Sequence, residues 1–169
     1  VAKDGVHLVD LGLLTPLRSA MTLTTHGTEY FRDPELVRLA MRGVKVHEVD
    51  GVKFDVYSAG AVLYSILEGS FPAHGSLSQI TKRCPEALKW IVRRAMADMS
   101  HRYGSAAEML ADLQAVQEAG KPFAVKPADL PSVRGDTELV AALSAQPAAE
   151  PVFASGTASV RRHQARPFR

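Results

Sequence analysis

Apolar positions along the chain keep a period in some stretches and lose it in others. Val6 and Leu8 alternate with their neighbours as a short strand would, ending at Asp10. From Leu11 to Phe31 no period holds, and Gly12, Pro16, Gly27 and five threonines predict an extended loop, of a length that usually serves function. Asp33-Pro34-Glu35 then reads as a helix start: Asp accepts free backbone N–H groups, Pro suits the first turn, and Glu complements the dipole. Gly43 stops that helix. From Asp55 to Leu67 apolar residues cover nearly the whole circumference, which predicts a central helix. A third helix begins around Pro85, with Leu88, Ile91, Val92, Ala95 and Met96 on one stripe and Trp90 off it as a second contact. A fourth opens on a capping box, Ser105 to Glu108, and runs through Met109, Leu110, Leu113 and Val116 to Gly120 and Pro122.

Composition adds a boundary to this order. Residues 1–120 carry 13 basic and 14 acidic side chains, whereas residues 121–169 carry 7 and 4 and hold six of the ten prolines. The expectation is therefore a folded unit over 1–120 and a Pro/Ala-rich basic tail or linker over 121–169, disordered apart from a short patterned stretch at Thr137–Ser144. Arg161, Arg162, Arg166 and Arg169 lack interleaved aromatics, so they read as solvated charge and no nucleic-acid partner is expected. The lone Cys84 cannot close an internal disulfide, and no apolar run is long enough for a membrane segment. A reducing, cytoplasmic setting is the expectation. The chain begins at Val1, so it reads as a piece of something longer.

Four strings stand in this order, Val9-Asp10-Leu11-Gly12, Gly27-Thr28-Glu29-Tyr30 with Asp33-Pro34-Glu35, Asp55 to Gly60, and Arg93 to Ala106, and together they resemble the second half of the C-terminal lobe of a bacterial-type serine/threonine protein kinase. Val9-Asp10-Leu11-Gly12 is similar to the family's Asp-Phe-Gly motif, with Leu for Phe. Gly27-Thr28-Glu29-Tyr30 followed by Asp33-Pro34-Glu35 is similar to the Gly-Thr-x-x-Tyr and Ala-Pro-Glu pair that closes the activation segment. Asp55-Val56-Tyr57-Ser58-Ala59-Gly60 looks like the start of the lobe's central helix, and Arg93 through Ala106 like its closing segment with a fixed Arg. Each string alone is weak; four in order across residues 6–118 are specific. The fold class implied is mainly α: a short strand, an activation segment, then helices and a disordered tail.

The resemblance assigns roles. Phosphoryl transfer relies on metal ions that hold the β- and γ-phosphate oxygens, so Asp10 would bind Mg2+ and, through it, ATP. Thr28 would lie against the catalytic loop and favours Ser/Thr as acceptor. Glu35 and Arg102 would form a buried ion pair pinning the activation segment, and Asp55 would accept backbone N–H bonds from the catalytic loop. At least one of Thr22, Thr24 and Thr25 would be an activating phosphorylation site whose added charge orders the loop. The bland alternatives are a strand-ending Asp in an Asx-turn, a loop hydroxyl bonding its own backbone, two unrelated surface charges, an ordinary N-cap and a merely polar loop.

The Gly-rich loop, the strand Lys and the catalytic loop are absent from the chain. The isolated chain is therefore expected to be inactive, its partners being a protein substrate and the missing N-terminal half of the kinase domain. Leu11 and a short stretch between Gly69 and Pro85, where only Ser78 to Thr81 offers a turn of docking helix, leave a pseudokinase or scaffold as the alternative. The six histidines show no zinc spacing with each other or with Cys84, and no Gly-x-Ser-x-Gly occurs.

Overall fold

A computed structural model of the chain describes residues 14–26, 28–72 and 79–145. The strand expected over Val6 to Asp10 lies outside the described residues, as do Asp10, Leu11 and Gly12. The described part is helical, with one isolated antiparallel bridge, Thr22 to Lys45, and no sheet.

Helix α1 spans Pro34–Met41 and begins as the sequence predicts, with the Asp33 carboxylate accepting the Glu35 N–H at 2.9 Å. It ends ahead of Gly43, whose φ of +72° is the left-handed conformation that residues with a Cβ rarely adopt. Helix α2, Val52–Glu68, starts three residues before the expected Asp55, because Gly51 rather than Asp55 stands at its N-cap. Its C-terminal cap is Gly69, again left-handed. Helix α3, Glu86–Ala95, follows Pro85 and buries Ala87, Ile91, Val92 and Ala95. Trp90 is half-buried and meets the Tyr103 ring edge to face at 6.3 Å, as its place off the stripe implies. Between α2 and α3 no docking helix forms among the described residues; Glu68 instead accepts the Thr81 hydroxyl at 2.9 Å and the Lys82 N–H at 2.8 Å.

Helices α2 and α3 approach closely because Gly60 carries no side chain. A Cβ there would lie 2.7 Å from the Ala95 Cβ. Helix α4, Ala106–Glu118, packs on α3, and its predicted capping box closes on one side only. Ser105 Oγ accepts the Glu108 N–H at 3.1 Å, but the Glu108 carboxylate turns to the Gly104 N–H at 2.7 Å and to Arg94 at 2.6 Å.

The boundary expected at residue 121 is not where packing ends. Pro122 and Pro127 open single 3₁₀ turns, Pro131 opens the short helix α5 (Pro131–Arg134), and α6 follows over Thr137–Ala145. Leu130 is fully buried in one core with Val56, Ile91, Tyr103, Met109 and Val116, so residues 122–134 belong to the folded lobe. The reason is local: proline fixes the φ that a first turn needs, so these prolines start turns around two apolar anchors, Val125 and Leu130. No helix among the described residues is long and apolar enough to cross a membrane.

Candidate functional site: the clasp between Arg102 and Asp33

Residues 19–31 lead into α1 along two holds. The first is backbone: Leu23 N–H donates to Val44 O and Val46 N–H to Met21 O, both at 2.9 Å, with His47 N–H on Ser19 O at 3.1 Å. Leu23 is then buried with Val46 and Phe54. The extended loop predicted from the lack of period is thus anchored over residues 19–23; of its apolar residues Ala20, Met21 and Leu23 only Leu23 is buried, too little to show a period. The second hold is Ser58 on α2, whose Oγ donates to Phe31 O at 3.2 Å.

Arg102 closes the arrangement, but not with the partner expected. Its guanidinium pairs with both carboxylate oxygens of Asp33, one of them at 3.0 Å, and the two side chains are only 3% and 1% exposed. Glu35 pairs instead with Arg38 one turn along α1, on the surface. The physical reason is position. Asp33 stands at the N-cap, where its short side chain caps Glu35 N–H and meets the guanidinium fork together, and that leaves Arg102 no free pair of donors for Glu35. Arg102 Nε also donates to Ala97 O at 2.5 Å, one of its terminal nitrogens donates to Lys53 O at 3.2 Å, and the guanidinium lies 4.9 Å from the centre of the Tyr57 ring. Burial raises the Tyr57 phenol above its ordinary range, reinforced by the Asp33 charge. An open groove of about 510 Å³ runs beside the clasp, lined by Asp33, Glu35, Arg38, Tyr57, Asp98 and Arg102.

Thr28 ends this segment in extended conformation at the start of the 3₁₀ turn Glu29–Phe31, exposed, its hydroxyl making no hydrogen bond among the described residues. Beside it, Tyr30 stacks on Phe71 at 4.6 Å, and Phe31 meets Phe71 edge to face at 5.5 Å. Thr22 and Thr24 are exposed and Thr25 half-buried. Asp55 lies inside the first turn of α2 rather than capping it, exposed, with no bond or ion pair among the described residues; desolvation along its flank raises its carboxyl. It shares one face of α2 with Ala59, Val62 and Ile66, all exposed, Val62 at 46% and Ile66 at 72%. A helix predicted to be covered all round therefore has one bare face. Asp10, the expected metal ligand, lies outside the described residues, among which no three His, Cys, Asp or Glu side chains group to hold a metal ion.

A second polar network escaped the sequence reading. The fully buried Asp112 accepts the Tyr103 hydroxyl at 2.8 Å and, from Ser132, the N–H at 2.9 Å and the hydroxyl at 2.6 Å. Arg94 donates to Ser132 Oγ at 2.6 Å and lies 4.1 Å over the Tyr103 ring. Burial, then the charge of Asp112, drives the Tyr103 phenol far above its ordinary range. The signal was available: Asp112 falls on the same stripe of α4 as Met109 and Val116, and a carboxylate there requires donors.

The mainly helical fold around α2, with a segment clasped by a buried Arg beyond α3, is consistent with a fragment of a protein kinase C-terminal lobe, and the curated proteins that the chain resembles are protein kinases. Among curated proteins the chain is 30% identical over 168 aligned positions to the serine/threonine-protein kinase PknB of Mycolicibacterium smegmatis, covering 86% of this chain and 25% of that protein. It is 26% identical over 138 positions to the serine/threonine-protein kinase PrkC of Bacillus subtilis, covering 69% of this chain and 20% of that one. A third relative, the dual specificity protein kinase pyk3 of Dictyostelium discoideum, is 29% identical over 126 positions, 66% of this chain and 9% of that protein. The chain thus spans a quarter or less of the curated relatives it matches. No family model matches it, and no solved structure does.

Proposed function

We propose that the chain is the activation segment and helical base of an ATP-dependent serine/threonine protein kinase, working in the cytoplasm on protein substrates, and that it is inactive alone. The observation that carries this is the pairing of one clasp with one bare helix face. Arg102 and Asp33 fix the end of the segment against α2, while Asp55, Ala59, Val62 and Ile66 leave α2 open where a further layer would pack. The upstream half of the domain would fill that face and bring the Gly-rich loop, the strand Lys and the catalytic carboxylate.

Asp10 would then hold Mg2+ on the ATP phosphates, and that ion would neutralise charge developing on the γ-phosphoryl group. Thr28, exposed and with no hydrogen bond to its hydroxyl among the described residues, would face the catalytic carboxylate, and the Tyr30 and Phe71 rings beside it offer an apolar rest for the substrate chain. Thr22, Thr24 and Thr25 are the candidate phosphorylation sites of the segment. Asp55 would receive backbone N–H groups of the catalytic loop, which would lower a carboxyl that desolvation now raises.

The test is reconstitution: the purified chain, then the chain co-expressed with its upstream coding sequence, is incubated with labelled ATP, Mg2+ and a basic protein substrate. Transfer by the joined protein and none by the chain alone supports the reading. Leu11 in place of Phe favours a second one, a pseudokinase or scaffold, which predicts an upstream sequence lacking the catalytic Asp, Asn or strand Lys and no transfer in either case.

A further inference from the structure

Helix α6 is apolar yet uncovered. Leu139, Val140, Ala141, Ala142 and Leu143 run consecutively along it, but none of its residues is buried, and Leu139 is 43% exposed. The left-handed Gly135, with a φ of +77°, turns the chain between α5 and α6, and both helices pack on α4. The seam between α4 and α6 is a groove of about 410 Å³. Pro131, Val140 and Ala141 line it with apolar surface, and its charged lining residues, Glu108 and Asp136, are both acidic. Glu108 already serves Arg94 and the Gly104 N–H, whereas the exposed Asp136 carboxylate makes no hydrogen bond or ion pair among the described residues. An apolar groove lined by an unpaired carboxylate suits an apolar side chain that stands next to a cation.

The chain carries such a sequence itself. Residues 146–169 follow α6, and after Glu150 they hold no acidic residue but four arginines, of which Arg161 and Arg162 come directly after Val160. Residues 146–159 can span up to roughly 46 Å, against about 8 Å along α6 from Ala145 back to Val140, so Val160 is within reach of the groove. Tethering sets the effective concentration at about a millimolar, so a contact too weak to form between separate molecules is populated within one chain.

We propose that the groove between α4 and α6 is the docking site of the chain's own Val160-Arg161-Arg162, with Val160 covering Val140 and Ala141 while the two guanidiniums meet Asp136 and Glu108. Arginines that read from the sequence as solvated charge thereby gain a partner, and the open side of α6 is closed by the segment that follows it. Nothing in this contact depends on phosphoryl transfer.

The experiment uses the full 169-residue chain carrying Cys84→Ala and Gln164→Cys, with a nitroxide attached at position 164. The amide resonances of Val140 and Ala141 should lose intensity, while that of Leu39 in α1 keeps its own. Arg161→Glu together with Arg162→Glu should abolish the loss, Asp136→Lys should abolish it in the chain with both arginines, and all three substitutions together should restore it. Added salt should weaken it. To tell one molecule from two, a nitroxide-bearing chain without isotope is mixed with an isotope-labelled chain that bears none. Loss confined to a single molecule and governed by these charges supports the docking. No loss at Val140 and Ala141, a loss indifferent to charge reversal, or one that appears only between copies would overturn it.

Discussion

Replacing Asp33 by Ala removes three things together: the paired carboxylate on Arg102, the cap on Glu35 N–H, and the buried negative charge that balances a guanidinium only 3% exposed. Breaking a buried pair from one side costs about 3–5 kcal/mol, and losing an N-cap adds about 1 kcal/mol. Asp33→Ala is therefore expected to cost about 4–6 kcal/mol, a large part of the stability of any domain this size. Arg102→Ala falls in the same range, because it also gives up the carbonyls of Ala97 and Lys53 and the face of Tyr57, leaving Asp33 with one N–H donor. The double variant should cost less than the sum, with a coupling of about 1–3 kcal/mol. Asp33→Asn keeps an oxygen for the cap and separates the two contributions. Urea unfolding followed by circular dichroism and by the fluorescence of Trp90 gives each value. Glu35→Ala is the decisive comparison, since its carboxylate meets only the solvated Arg38 and its loss should leave the midpoint almost unmoved. If Glu35→Ala costs as much as Asp33→Ala, or if the Asp33 and Arg102 effects simply add, the clasp described here is wrong.

Leu130→Ala should cost about 2–5 kcal/mol by the same unfolding assay although it lies ten residues past Gly120, since its side chain is fully buried among Val56, Ile91 and Met109; a surface-like effect would return this segment to the status of a linker. Glu68 should make the base of the loop ahead of α3 acid-labile. Its carboxyl is held below its ordinary value near 4.5 by the Lys82 N–H first, then by Thr81. A lowered folded pKa means that the bonds contribute fully above the ordinary value and are lost as pH falls through the folded one. Relative to intrinsic rates, amide exchange at Thr81 and Lys82 should accelerate as pH falls through that lowered value, and Glu68→Gln should abolish the dependence.

How far the sequence could be read depended on whether a residue's role was local. The start of α1 at Pro34, its stop before Gly43 and the Ser105 cap on α4 are decided within one turn of chain, and each was legible. The start of α2 was not, because Asp55 imitates an N-cap while Gly51, with no capping side chain, holds the position. Partnership at long range was legible only in part. A buried partner for Arg102 was foreseen, but the family pattern pointed to Glu35, and the carboxylate at 33 looked like a better cap and nothing more. Leu130 was the hardest to read, being one apolar residue among prolines, with no period to announce it and a contact surface assembled from three distant helices.

That last contact bears on when the lobe can close during synthesis. Val56, Ile91, Tyr103 and Met109 all leave the ribosome before Leu130, so the nascent helices carry an open apolar slot until the segment that fills it has emerged. Asp112 waits equally, its carboxylate missing the Ser132 donors through the same interval. The final cooperative step thus belongs to a stretch that composition marks as a tail. A chain stalled or cut at Gly120 would present a greasy groove over a carboxylate with one donor left, Tyr103, the kind of surface on which holding chaperones act and from which aggregation starts.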